Sequence, residues 1–172
     1  MSRTVGLISD THGLLREEAL AALRDSDFII HAGDIGDPGI LASLSALAPL
    51  SVVRGNIDTD AWASGLPTTA TLEVDGILVF VVHDVADLDP AAAMGCRVVV
   101  SGHSHRPGIR DCDGVLFVNP SSAGRRRFSL PVSIGRLRIT GGEVTAGLVE
   151  LKLPPAPPGI PRRTGATRLS PR

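Results

Sequence analysis

Five short apolar segments, rich in β-branched residues, each run into a cluster of Asp, Asn or His. Thr4–Ser9 leads into Asp10-Thr11-His12, Asp27–Ala32 into Gly33-Asp34, and Leu50–Arg54 into Gly55-Asn56-Ile57-Asp58. Ile77–Val82 leads into His83-Asp84, and Arg97–Ser101 into Gly102-His103-Ser104-His105. Short continuous apolar runs of this kind read as buried strands. In open α/β sheets, ligands bind beyond the carboxyl ends of the strands. The pattern therefore sends Asp10, His12, Asp34, Asn56, His83, His103 and His105 towards one sheet edge. Each fragment alone has a plainer reading. Asp10 or Thr11 would cap a helix, Gly33-Asp34 and Gly55-Asn56 would be turns, and His83 a satisfied strand-end histidine. Five such fragments in order, each at a strand end, favour a shared purpose.

Between the strands, Leu14–Leu23 and Gly39–Leu47 carry apolar residues at helical spacing. The resulting βαβαβ order implies parallel strands joined by crossover helices. The second half changes character. Asp75-Gly76, Asp113-Gly114 and Gly141-Gly142 each separate two strand-like runs, which predicts three hairpins. Pro90–Met94 reads as a short helix. The fold class is therefore α/β, a mixed pair of sheets flanked by helices. The chain reads as one domain over 1–153, followed by a Pro/Arg-rich tail over 154–172. That tail holds four arginines and no acid, so the formal charge of −1 hides an acidic body. The tail reads as extended and solvated, or as a basic arm for an anionic partner.

Composition narrows the classes. No apolar run approaches the length of a membrane-spanning helix, and Asp10 and His12 come too early for a signal peptide. Two cysteines, Cys96 and Cys112, are too few for a disulfide scaffold, so a cytoplasmic setting is expected. The 3% aromatic content and the acidic body argue against a nucleic-acid partner. Trp62 suits core packing, or a lid or dimer contact, which leaves a homo-oligomer open.

The residue types suit metal chemistry. Carboxylate, imidazole and amide oxygen are ligands for Mn²⁺, Fe²⁺, Co²⁺, Ni²⁺ or Zn²⁺, and no cysteine joins the set. Seven ligands exceed the needs of one such ion but suit two that share a carboxylate. Two divalent ions roughly 3.5–4 Å apart can clamp a phosphoryl group for in-line attack. The expected partner is a small phosphate-ester substrate.

The ordered set D-x-H, G-D, G-N-x-[D/E], H and G-H-x-H resembles the calcineurin-like metallophosphoesterase superfamily over roughly residues 4–150. The GNID, GHSH and NPSS forms resemble its small prokaryotic phosphodiesterase branch. The resemblance implies a four-layer αββα sandwich with a dimetal site at the sheet edge. It implies that Asp10, His12 and His105 bind the first metal, and Asn56, His83 and His103 the second, with Asp34 bridging. It also places Asn56 near the substrate phosphate, makes Asp34, Asn56 and His103 catalytic residues, and implies that a metal-bridging hydroxide attacks phosphorus. Mn²⁺ is the first choice of metal. The alternative is a non-catalytic interaction module on the same fold, of which the retromer scaffold subunit is a relative. The complete ligand set favours catalysis.

Three positions depart from the family pattern. Ile57 stands where many members have a proton-donating His, so water, Asp58 or another residue would protonate the leaving oxygen. Asp84 follows His83 where Gly is usual, either orienting an imidazole or pointing to solvent. Ser121 stands in Asn119-Pro120-Ser121-Ser122 where the family has Gly, which argues against a positive φ there. His31 reads as a buried structural histidine. Arg125, Arg126 and Arg127 form a solvated turn or an anion contact, with Arg125 and Arg126 the candidate substrate contacts.

Overall fold

Alternation along the first strand sorts its side chains onto two faces. In the computed structural model, which describes residues 1–127 and 129–154, β1 spans Ser2–Ile8. Val5 and Leu7 point into one core and Ile8 into another. This is the period-2 geometry of a strand buried on both sides. β2 (Phe28–His31) pairs with it in parallel and β3 (Leu50–Val52) pairs in parallel with β2, as the βαβαβ reading requires. The connections carry α1 (Glu17–Leu23) and α2 (Pro38–Ser45). Asp37 caps α2 by accepting from Gly39 N–H at 2.7 Å, and Pro38 occupies the first turn, where its missing N–H is harmless.

The three hairpins form as expected: β4 (Thr69–Val74) with β5 (Ile77–Val82), β7 (Gly108–Cys112) with β8 (Val115–Asn119), and β9 (Ser133–Thr140) with β10 (Glu143–Glu150). β6 (Val98–Val100) lies between β5 and β8, parallel to both. The result is two mixed five-stranded sheets, ordered β10-β9-β1-β2-β3 and β4-β5-β6-β8-β7. Their facing sides close over Val5, Leu7, Ile30, Val79, Val81, Val98, Val100 and Leu137. Complete burial of each such side chain contributes about 1.5–3 kcal/mol.

α1 and α2 cover the outside of the first sheet through Ala19, Leu23, Ile40 and Leu44. Trp62 packs against the same cluster, so its role is core packing. The outside of the second sheet is covered more thinly. The 3₁₀ turn Val85–Asp87 and the turns after it place Leu88 and Ala93 over Phe80, Val82 and Val99. The helix expected at Pro90–Met94 is a series of turns instead. Its alanines supply propensity, but the stretch is too short to propagate a helix. α1 also begins three residues later than its pattern suggests, because Leu14–Arg16 belong to the loop after Asp10. Among the described residues no helix is long and apolar enough to cross a membrane. Beyond Pro154, the expected tail lies outside the described residues.

Candidate metal centre

The five strand ends converge. Asp10 and His12 follow β1, Asp34 follows β2, Asn56 follows β3, His83 follows β5, and His103 and His105 follow β6. Two groups of donor atoms form. In the first, His12 Nε2 and His105 Nε2 are 3.1 Å apart, with Asp10 Oδ1 at 3.2 Å from His105 Nε2 and Asp34 Oδ2 at 3.7 Å from His12 Nε2. In the second, His83 Nε2 lies 3.3 Å from Asp34 Oδ1 and 3.1 Å from Asn56 Oδ1, which is 3.0 Å from His103 Nδ1. Asp34 thus touches both groups through its two oxygens. All seven residues singled out in the sequence meet at this edge.

The donor set fits cations. Asp10 Oδ1 is fully buried with no hydrogen-bond partner, an arrangement that is costly for a carboxylate oxygen unless a cation faces it. His83 makes the same point. Its Nδ1–H donates to the Ala32 carbonyl at 2.7 Å, so in the neutral ring Nε2 is a lone pair. That lone pair faces two oxygen acceptors, on Asp34 and Asn56. Burial works to lower the His83 pKa, but Asp34, the Ala32 carbonyl and Asp10 together outweigh it and the net shift is upward. For Asp34, burial pushes upward, and the neighbouring His83, the Ile57 N–H and His12 together more than reverse it. Burial lowers the His12 pKa despite Asp34 and Asp10, with His105 and Arg127 adding to the fall.

The backbone holds these side chains under strain. Asp10, His12, Asp34, His103 and His105 all have positive φ, between 47° and 63°. Left-handed backbone costs a non-glycine residue about 1–2 kcal/mol, and such strain concentrates at functional sites. Close approach adds a second constraint. A Cβ at Gly33 would lie 2.6 Å from His83 Nδ1, and one at Gly55 would overlap Asp34 Oδ1.

Several supporting residues were hidden from the sequence. Asp58 is buried and accepts from Ile35 N–H at 2.9 and 3.1 Å, Gly36 N–H at 2.9 Å and Gly55 N–H at 2.8 Å. Both its oxygens are occupied in tying the Asp34 loop to the Asn56 loop, which removes it as the proton donor suggested beside Ile57. Ser121 has φ 76°, so the expectation from its Gly-to-Ser change is overturned. Its hydroxyl lies 2.9 Å from both the His105 and Pro131 carbonyls, and its N–H donates to Asn119 Oδ1. Those bonds hold a conformation that glycine would adopt freely. Ser9 Oγ donates to Asp10 Oδ2 at 2.6 Å, and Ser122 Oγ to Asp10 O at 2.7 Å.

His31 is the buried structural histidine expected. Its Nδ1 accepts from Gly33 N–H, its Nε2–H donates to Thr11 Oγ1, and Thr11 Oγ–H donates to Ile35 O. Burial pushes its pKa down to about 4, so the ring is neutral. Arg125 and Arg126 are exposed and make no ion pair among the described residues. Their loop rests on the Asp10–His12 turn, where a Cβ at Gly124 would overlap Thr11 O. Beside the second donor group, Arg54, Asn56, Thr68, His83, Asp84 and His103 help line a cavity of about 430 Å³.

A two-sheet sandwich gathering Asp, Asn and His from five strand ends into paired donor groups defines a metal-dependent phosphoesterase scaffold. The chain belongs to the calcineurin-like phosphoesterase superfamily, whose domain matches residues 4–142. A probable metallophosphoesterase of Methanothermobacter thermautotrophicus is 32% identical over 163 residues, covering 87% of this chain and 94% of that protein. The fold recurs in a solved archaeal phosphodiesterase, with TM-score 0.71, 23% identity, and 85% and 99% of the two chains covered. It recurs again in Vps29 of Chaetomium thermophilum, with TM-score 0.70, 17% identity, and 87% and 97% covered.

Proposed function

We propose that this chain is a dinuclear-metal phosphodiesterase acting on a small organic phosphate. The observation that carries the reading is the buried, unpartnered Asp10 Oδ1 beside His12 Nε2 and His105 Nε2, joined through Asp34 to a second donor group. Asp10, His12, His105 and Asp34 would hold one ion; Asp34, Asn56, His83 and His103 would hold the other. Mn²⁺ suits this oxygen-and-imidazole set best, with Ni²⁺, Co²⁺, Fe²⁺ and Zn²⁺ as alternatives. When bound, such a pair supplies Lewis acidity and an activated water for attack on phosphorus.

The chain's own residues supply positioning. Ala32 O fixes the His83 ring so that Nε2 faces inward. Asn56 turns its oxygen to the centre, which leaves its NH₂ to donate to a phosphoryl oxygen in the adjoining cavity. Arg125, Arg126 and Arg127, at the other end of the site, would meet further anionic groups of the substrate. Ile57 is 41% exposed and offers no proton, so water or another residue would protonate the leaving oxygen. That favours diesters with good leaving groups. The reading keeps the cytoplasmic setting, in line with the free thiols of Cys96 and Cys112.

The test is turnover of a bis-aryl phosphate diester by purified protein supplied with Mn²⁺, Ni²⁺, Co²⁺ or Zn²⁺. Metal-dependent release of the phenolate is expected. No turnover with any of the four would overturn the catalytic reading.

A further inference from the structure

We infer that Asp84 is a positioning residue that fixes the tautomer of His103 and makes its Nδ1 the atom presented to the second donor group. The inference rests on the dinuclear reading above.

Asp84 stands between two tasks. It follows β5 directly and caps the 3₁₀ turn Val85–Asp87, with Oδ1 accepting from Ala86 N–H at 3.0 Å. That bond fixes the carboxylate's orientation. The second oxygen, Oδ2, then lies 3.5 Å from His103 Nε2. On the far side of the ring, Nδ1 lies 3.0 Å from Asn56 Oδ1. The ring therefore has an acceptor at each end and, when neutral, one proton to place. A full negative charge draws that proton more strongly than an amide oxygen does. The proton goes to Nε2, facing Asp84. Nδ1 becomes a lone pair beside Asn56 Oδ1, the oxygen that also meets His83 Nε2.

The other histidines of the site show why this matters. His83 has its inward tautomer set by the Ala32 carbonyl, and it is buried. His105 Nδ1 is buried with no partner. His103 is the open one, with 46% of its side chain exposed, and no backbone carbonyl is recorded against its ring among the described residues. Without a fixed charge beside it, an imidazole so exposed would exchange tautomers and rotamers with water. Asp84, itself 32% exposed, supplies that charge. A partner on the remote nitrogen of a ligating histidine is typically worth 10- to 100-fold in metal affinity.

Asp84→Ser separates the two tasks, because serine keeps the cap but is too short to reach His103. Long-range ¹H–¹⁵N correlation spectra of the metal-free protein at mildly alkaline pH report the His103 tautomer. Wild type is expected to show the Nε2–H form, and Asp84→Ser a shift to Nδ1–H bonded to Asn56. Calorimetric titration with Mn²⁺ alone is expected to show one of two ions weakened by about 10- to 100-fold, the other unchanged and Tm unchanged. Asp84→Asn should fall between the two. An unchanged tautomer in Asp84→Ser, or two unchanged affinities, would overturn the inference. A wild-type chain binding one ion or none would overturn the dinuclear reading instead, while the tautomer would still decide the role of Asp84.

Discussion

Asp58→Ala removes a carboxylate that satisfies three backbone N–H groups, those of Ile35, Gly36 and Gly55. Hydrogen bonds to a charged acceptor contribute about 1.5–3 kcal/mol each, and an orphaned buried donor costs about 1–3 kcal/mol. Ile35 is completely buried and sits at the upper end; Gly36 and Gly55 are near enough to water to sit lower. The sum is about 4 kcal/mol, a large part of the roughly 5–15 kcal/mol of a typical domain. For a chain of this length it lowers Tm by about 10 °C. Asp58→Asn keeps one acceptor oxygen and turns an NH₂ against another donor, so about half the loss is expected. Circular dichroism melts measure this, with pH–rate profiles taken alongside. Activity should fall in step with stability, because the loops carrying Asp34 and Asn56 lose their tie. An Asp58→Asn protein that melts like wild type but loses the basic limb of its pH–rate profile would refute the reasoning. It would place the leaving-group proton on Asp58 after all.

Other outcomes follow from single residues. His31 has a folded pKa of about 4 against about 6.5 unfolded, so its neutral form favours folding. Its contribution is complete above pH about 6.5 and is lost as pH falls towards 4, by about 3 kcal/mol in all; His31→Gln should flatten that part of the stability–pH curve relative to wild type. Ile57→His should speed hydrolysis of alkyl esters, whose leaving oxygens need a proton, more than that of nitrophenyl esters; equal effects would remove the argument from Ile57. Ser121→Gly relieves the positive φ while Ser121→Ala keeps it, so Gly should be the more stable by about 1 kcal/mol in urea melts. Removing 154–172 should leave turnover of model diesters intact, and a collapse would show that the tail is more than an appendage.

Much of this arrangement is legible in the chain because strand and site share one grammar. Thr4–Ser9 and Arg97–Ser101 announce buried strands by composition, and Asp10 and His103 follow them within a residue or two. Asp75-Gly76 and Asp113-Gly114 have φ signs suited to tight hairpins, so two turns could be placed from dipeptides alone. What stayed hidden depends on contacts between distant segments. Asp58 looks catalytic because it sits in the Gly-Asn motif, yet its partners are Ile35 and Gly36, more than twenty residues earlier. Ser121 tolerates a glycine-like φ because its hydroxyl reaches His105 O and Pro131 O, which no local pattern reports. Pro90–Met94 has helical composition but lies over Phe80 and Val99, where turns suffice to cover the sheet.

The most direct measurement is the number of Mn²⁺ ions bound per chain, by titration calorimetry checked against elemental analysis, in wild type and in Asp34→Asn. Because Asp34 Oδ1 faces His83 and Oδ2 faces His12, one substitution should weaken both ions. Two ions in wild type, with both affinities and diester turnover falling together in Asp34→Asn, is the expected result. A single ion in wild type, or two ions retained at full affinity in Asp34→Asn, would contradict a bridged dinuclear centre.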